Sequence, residues 1–316
     1  MKKPILYLVI PCYNEEEVLD ITTLELTKKL NYLLKNNLID IKSRVMYVDD
    51  GSSDKTWNKI KKYHNDNNMF IGLKLSRNKG HQNALLAGLL ESKKYADITI
   101  SMDADLQDDI NVIDKMLNEY LRGCEVVYGV RSSRKKDSLF KRTTAEGFYK
   151  FMRFMGVEIV FNHADCRLLS KTALEALEKY NEVNIFLRGI IPEIGYKSSI
   201  VYYERNKRVA GVSKYPLKKM LKFAVEGITS FSVKPLKMIT NLGFIMAIFS
   251  FVMLVYALIV KILGKTVEGW TFIVVSIWLV SSIQMLSLGV IGEYIGKIYS
   301  ETKARPRYII EEELHD

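Results

Sequence analysis

The chain has 316 residues, 48% of them hydrophobic, and 46 Lys and Arg against 36 Asp and Glu give it a formal charge of +10. That length admits one or two domains with a full core, and the basic balance calls for an anionic partner: nucleic acid, a membrane surface or a phosphorylated substrate. Cys12, Cys124 and Cys166 are scattered with no C-x-x-C pair, which argues against a disulfide framework or a zinc site and for a reducing compartment.

After Met1 no apolar run reaches signal-peptide length, so the N-terminal part is expected to stay in the cytoplasm. Short apolar runs then alternate with helical stretches. Strands are predicted at Ile5–Ile10, Val45–Val48, Phe70–Leu75, Ile98–Met102 and Val126–Tyr128. Helices are predicted at Glu16–Leu34, Asp54–His64, Gln82–Lys93 and Ile110–Arg122. Alternation with crossovers of this length predicts an α/β domain over 1–200, a mostly parallel sheet with helices on both faces.

Sheets of this kind bind ligands beyond the carboxyl ends of their strands, and the residues there carry chemistry. Pro11-Cys12-Tyr13-Asn14-Glu15-Glu16 closes the first strand, and Tyr13 suits stacking on a base. Asp49-Asp50-Gly51-Ser52 closes the second; an Asp there can accept from a ribose hydroxyl or base N–H, although the same residues are ordinary turn chemistry. Ser76-Arg77-Asn78-Lys79-Gly80-His81 closes the third, with cations and a glycine suited to phosphate or sugar oxygens. Asp103-Ala104-Asp105 closes the fourth, with Gln107 two residues on. Carboxylates two apart on an extended segment face the same side and offer hard oxygens to one Mg²⁺ or Mn²⁺. Asp165 stands beside Arg167, so an ion pair competes with a role in orienting a sugar or acting as a base. His163 is expected to be structural, and His64 and His315 have no supporting context.

Beyond the α/β region the character changes. Segment 201–236 reads as a juxtamembrane stretch: Leu217, Met220, Leu221, Ala224, Ile228 and Phe231 form one helical stripe opposite Lys218, Lys219, Lys222 and Glu226, which fits an interface helix, with a surface helix packed on the globular domain as the alternative. Within 237–294, Ile239–Val260 and Trp270–Gly292 carry no charge, and each is long enough to cross a hydrocarbon core of about 30 Å. A transmembrane hairpin is expected, followed by a tail over 295–316. Basic flanks on both outer sides, against a loop with only Lys261 and Lys265 beside Glu268, place both termini in the cytoplasm by the positive-inside rule. Attraction to anionic lipid then accounts for much of the charge, and nucleic acid is not expected as a partner.

The four strand-end motifs, in this order, resemble family 2 inverting glycosyltransferases of the GT-A fold. Asp165-Cys166-Arg167-Leu168-Leu169-Ser170, Arg208-Val209-Ala210-Gly211-Val212-Ser213-Lys214-Tyr215, Gly292-Glu293-Tyr294-Ile295-Gly296 and Arg305-Pro306-Arg307-Tyr308 narrow the resemblance to the polyprenyl-phosphate branch. That branch includes bactoprenol glucosyltransferases and, more distantly, dolichol-phosphate mannosyltransferases. The chain departs from the pattern at Cys166, where an aromatic residue is usual, and at Lys79 and His81, which replace a common Phe and Lys.

The resemblance implies a membrane-anchored, metal-dependent enzyme that moves a sugar from a nucleotide sugar to undecaprenyl (polyprenyl) phosphate for cell-envelope glycan. UDP-glucose and UDP-N-acetylglucosamine lead the donors, while galactose, mannose and the choice of Mg²⁺ or Mn²⁺ stay open. It implies metal binding by Asp103, Asp105 and Gln107, and donor binding by Pro11, Tyr13, Glu15, Asp49, Asp50, Arg77, Asn78, Asp103 and Ala104. Arg131, Arg142 and Arg208, backed by Arg134, Lys135, Lys136 and Lys141, are the cations expected to receive the acceptor phosphate, and Asp165 joins Asp103 and Asp105 in the catalytic set. Self-association through the hairpin and tail fits this arrangement. A processive polysaccharide synthase fits poorly, because no Gln-x-x-Arg-Trp segment is present. A membrane-tethered nucleotide-sugar binding protein without catalysis is the alternative.

Overall fold

A computed structural model of the protein describes residues 3–131, 152, 154–156, 163–204, 228–230, 232–263 and 269–315. These fall into two compact units. The first holds the described residues up to 131, 163–204 and 304–315; the second holds the rest.

The first unit is built on an eight-stranded sheet ordered β7-β5-β6-β4-β1-β2-β3-β8. In chain order the strands are β1 (Leu6–Cys12), β2 (Arg44–Asp49), β3 (Phe70–Leu75), β4 (Ile98–Ser101), β5 (Val126–Arg131), β6 (His163–Ser170), β7 (Ser198–Tyr203) and β8 (Ile310–Leu314). Helices α1 (Leu19–Lys35), α2 (Thr56–Asp66), α3 (His81–Ser92) and α4 (Val112–Leu121) follow the first four strands, and α5 (Lys171–Glu178) and α6 (Leu187–Glu193) lie between β6 and β7. Strands β4, β1, β2 and β3 run parallel, as the α/β alternation predicts. Every residue of β1 is buried, the pattern of a strand covered on both faces. Helix α3 lies so close to the sheet that a Cβ on Gly88 would come within 2.5 Å of Val9 Cγ1 and 2.6 Å of Val48 Cγ2.

Three pairings depart from the parallel pattern. β6 runs antiparallel to both β4 and β5, and β8 runs antiparallel to β3. The segment read as a tail therefore contains a strand of the first unit's sheet. It is fastened there by Trp57 Nε1, which donates to Glu312 at 3.0 Å, and by Lys61 and Lys74, which pair with Glu312 and Glu311. His64 and His315, which lacked context in the sequence, are structural. His64 Nδ1 lies 2.8 Å from the Phe70 carbonyl oxygen, and the His315 ring stacks on Tyr95 at 4.1 Å.

Helix boundaries shift for local reasons. The predicted first helix begins three residues late because Glu15 N donates to Thr56 Oγ1 and Glu16 N to Asp54 Oδ2, holding those residues in the loop. Asp54 also accepts from Thr56 N, the first residue of α2, at 2.9 Å.

The second unit contains α7 (Lys234–Ile262) and α8 (Trp270–Lys303), of 29 and 34 residues. At 1.5 Å per residue they measure about 44 and 51 Å, longer than a bilayer core. Both carry large exposed apolar side chains, including Phe244, Ile248, Phe251, Trp278, Met285 and Leu286. Tyr294 donates to the Ser232 carbonyl at 2.5 Å, tying α8 to the residues just ahead of α7. Of the amphipathic stretch expected upstream, 217–227 and Phe231 lie outside the described residues.

Candidate active site

Antiparallel pairing of β6 on β4 sets Ser101, the last residue of β4, opposite Arg167, and Asp103 and Asp165, two positions further out on each chain, come together at the sheet edge. Ser101 Oγ donates to the Asp165 carbonyl at 2.5 Å and fixes that approach. Beyond β4 the chain turns sharply: Asp105 Oδ1 accepts from Gln107 N at 3.1 Å, and Leu106 between them adopts φ +51°. A bulky residue in the left-handed region is strained, a feature that concentrates at functional sites. Two further bonds hold this turn. Thr22 Oγ1 donates to the Ala104 carbonyl at 2.7 Å, and Tyr203 OH donates to Asp108 at 2.6 Å.

Asp165 is the centre of a charged cluster. Arg188, in the first turn of α6, grips it with a two-pronged bond, Nε to Oδ1 at 3.1 Å and Nη2 to Oδ2 at 2.9 Å. Arg167, fully buried in β6, adds Nη2 to Oδ1 at 2.9 Å. His81 Nε2 lies 3.6 Å from Asp165 Oδ2 and 3.9 Å from Asp103 Oδ1, so the imidazole stands between the two carboxylates. Burial would raise the pKa of Asp165, but Arg188, His81 and Arg167 together hold it well below the usual carboxylate range. Asp103 goes the other way. Burial, opposed by His81 and reinforced by Asp165, Asp108 and Asp105, pushes its carboxyl up to about 6. Desolvation works against a protonated His81, yet its contact with Asp165 and the charge of Asp103 leave its pKa raised.

The neighbouring strand ends are sewn to one another. Asn14 N donates to Ser52 Oγ, and Ser53 N donates back to Asn14 Oδ1, each at 2.9 Å. Asp50, almost fully buried, accepts from Lys79 N at 2.7 Å and Gly80 N at 2.9 Å and so locks the loop after β3. Gly51 has φ +65°, and a Cβ there would strike the Arg77 carbonyl carbon and the Asn78 nitrogen at 2.6 Å. Asp49 is also buried and accepts from Ser52 N at 3.3 Å. Burial pushes both carboxyls up.

The residues anticipated from sequence therefore separate into groups. Tyr13, Arg77 and Asn78 are exposed, Glu15 and Asp105 are half-buried, and Pro11, Asp49, Asp50 and Ala104 are buried. Asp103 and Asp165 are brought together just beyond the last pair of the β4–β6 ladder, beside His81. Arg131 ends β5, with its side chain outside the described residues, as are Arg142, Arg208, Arg134, Lys135, Lys136 and Lys141. Sequence reasoning missed Arg188 altogether. Nothing local marks it, since its partner is 23 positions away.

The donor set suits a divalent ion in part. His81, Asp103 and Asp165 offer ligand atoms within 4.8 Å of one another, a hard-oxygen and imidazole combination. The grip of Arg188 and Arg167 on Asp165 leaves Asp103 as the carboxylate of that trio better suited to a metal. Asp105 and Gln107 lie on the adjoining turn.

Comparison with known proteins bears on this site. Residues 7–178 match the model of glycosyl transferase family 2. The uncharacterized glycosyltransferase YkoT of Bacillus subtilis (strain 168) is 51% identical over 314 residues, covering 99% of this chain and 93% of that protein. The bactoprenol glucosyl transferase of Shigella phage SfX is 37% identical over 308 residues, 96% of this chain and 97% of its own. Among solved structures, mannosyl-3-phosphoglycerate synthase from Rubrobacter xylanophilus has a TM-score of 0.48 at 14% identity, covering 76% of this chain and 75% of that one.

Proposed function

The chain belongs to glycosyl transferase family 2, and on that footing we propose that it transfers a sugar from a nucleotide sugar to undecaprenyl or another polyprenyl phosphate at a membrane. The observation that carries the reading is the near full-length match to a bactoprenol glucosyl transferase, with the Asp103-Ala104-Asp105 turn at the end of β4. UDP-glucose and UDP-N-acetylglucosamine are the donors we favour.

In this reading Tyr13 and Glu15 meet the nucleoside, while Arg77 and Asn78 face the diphosphate and sugar. Pro11, Asp49, Asp50 and Ala104, being buried, act by holding the loops that carry those contacts. Asp103, Asp105 and Gln107 would hold Mg²⁺ or Mn²⁺. When bound, the ion neutralises charge growing on the departing nucleoside diphosphate. The acceptor phosphate oxygen forms the new bond to the anomeric carbon as the bond from that carbon to the diphosphate oxygen breaks, with inversion. A phosphate monoester with a second pKa near 6 is mostly dianionic at neutral pH and needs no base. Asp165, kept ionised by its cations, is a weak base and suits that requirement. Arg131, Arg142 and Arg208 are the proposed cations for the acceptor phosphate.

Helices α7 and α8 are proposed as a transmembrane hairpin with both flanks in the cytoplasm. The chain leaves the first unit before α7 and re-enters its sheet at β8, which supports an even number of crossings. Labelled nucleotide sugar should pass its sugar to undecaprenyl phosphate and not to undecaprenol, which lacks the phosphate. Transfer to neither lipid, with nucleotide still bound, would leave a nucleotide-sugar binding protein in its place.

A further inference from the structure

The cluster around Asp165 contains a residue that neither the sequence motifs nor the proposed reaction requires. We propose that Arg188 is a positioning residue: acting through Asp165, it holds His81 and Asp103 in the arrangement that receives metal and donor diphosphate. This inference rests on the proposed reading of the site.

Three observations meet here. First, Arg188 binds Asp165 with both Nε and Nη2, a planar fork that fixes the orientation of the carboxylate as well as its charge. Second, α6 is tied to α3 one residue away from each partner. Leu187 N donates to Gln82 Oε1 at 2.8 Å, so the residue before Arg188 is bound to the residue after His81. Third, the buried Arg167 reaches both sides of the junction, with Nη2 on Asp165 Oδ1 at 2.9 Å and Nη1 on the Leu187 carbonyl at 3.4 Å. The start of α6, the start of α3 and the outer end of β6 thus form one connected unit behind the Asp103 turn.

Arg167 and Arg188 divide the work. Arg167 is enclosed in the sheet and makes its contacts from β6 itself, so it holds Asp165 in the fold. Arg188 approaches from a separate short helix and is partly exposed, on the side where His81 stands between Asp165 and Asp103. Without the fork, Asp165 keeps one arginine and loses its fixed plane, and the imidazole loses the stationary anion that orients it toward Asp103. Lysine at this position would supply a charge without the two-pronged geometry.

The test is a double-mutant cycle on purified full-length protein in detergent, using Arg188→Gln, Asp165→Asn and the double variant. It is read by Mn²⁺-dependent UDP affinity in titration calorimetry and by sugar transfer to undecaprenyl phosphate. Each single variant is expected to weaken Mn²⁺-dependent UDP binding about tenfold, and the double variant to be within about twofold of Asp165→Asn, because Arg188 acts only through that carboxylate. Losses that multiply to about a hundredfold would overturn the proposal, as would unaltered UDP affinity in Arg188→Gln. Arg188→Lys carries the same cycle should Arg188→Gln fail to fold; it is expected to stay defective, and full recovery by lysine would show that charge alone suffices and overturn positioning. A cycle that closes without additivity, in a wild type that never glycosylates lipid phosphate, would refute the proposed acceptor and leave the role of Arg188 standing.

Discussion

The backbone N–H of Ser76 donates to the carbonyl of Ile309 at 3.0 Å, so the residue that begins the loop after β3 is held by the residue that precedes β8. The two are far apart in sequence, and the pairing makes the last strand a support for Arg77 and Asn78. Deleting residues 306–316 would remove that bond and the whole β3–β8 ladder and expose the edge of β3. The truncated protein is expected to melt at least about 5 °C lower and to bind UDP about tenfold more weakly in calorimetry. An unchanged affinity would separate the strand from the donor loop. The milder Trp57→Phe, which loses the bond to Glu312 and part of a buried ring that packs in the core beneath Lys61, should cost about 1–3 kcal/mol in denaturant unfolding.

Gly51 is a second point of close approach. Its positive φ, and the 2.6 Å that would separate a Cβ there from the Arg77–Asn78 peptide, leave no room for a side chain. Gly51→Ala should destabilise the protein by about 1–3 kcal/mol and weaken donor binding by at least about tenfold, because the obstruction is backbone and cannot rotate away. A variant with wild-type UDP affinity would show that the loop tolerates displacement.

Asp103 gives a pH dependence with a definite sign. Its folded pKa of about 6 lies above the ordinary carboxylate value, so the folded chain holds that proton more tightly than the unfolded chain. The resulting contribution to stability is complete below about pH 4 and is lost as pH rises through about 6. At pH 7.5 ionised Asp103, with no metal bound, opposes folding. Asp103→Asn is therefore expected to raise the melting temperature of metal-free protein by about 1–3 °C at pH 7.5 and to give no gain at pH 5. Metal binding must displace the same proton, so Mn²⁺ affinity of the wild type should fall about fourfold from pH 7.5 to 5.5. Affinity that is flat across that range would contradict the assignment.

How much was legible in the sequence follows from how each element is stabilised. The parallel strands announce themselves as short apolar runs, because burial on both faces demands it; Leu6–Cys12 and Ile98–Ser101 are examples. Strand β6 did not, since Asp165 and Arg167 interrupt its apolar run, and the burial of Arg167 is compensated by Asp165 and the Leu187 carbonyl. Strand β8 reads as an acidic tail, Ile310-Glu311-Glu312-Glu313-Leu314, which is the polar composition that an edge strand tolerates. The carboxylates Asp103 and Asp105 were visible from their spacing at a strand end. The meeting of His81, Asp165 and Arg188 was not, because it depends on the antiparallel register of β6 and the placement of a short helix.

Sugar transfer to a lipid phosphate is read most plainly as product formation by purified protein in detergent. Undecaprenyl phosphate, Mg²⁺ or Mn²⁺ and a panel of UDP- and GDP-sugars would be supplied, and a mild-acid-labile glycolipid sought, with Asp105→Asn in parallel. A UDP-sugar is expected to give product, and that product is lost when Asp105 is replaced. Absence of product from every donor, or product that persists undiminished in Asp105→Asn, would contradict the proposed transfer.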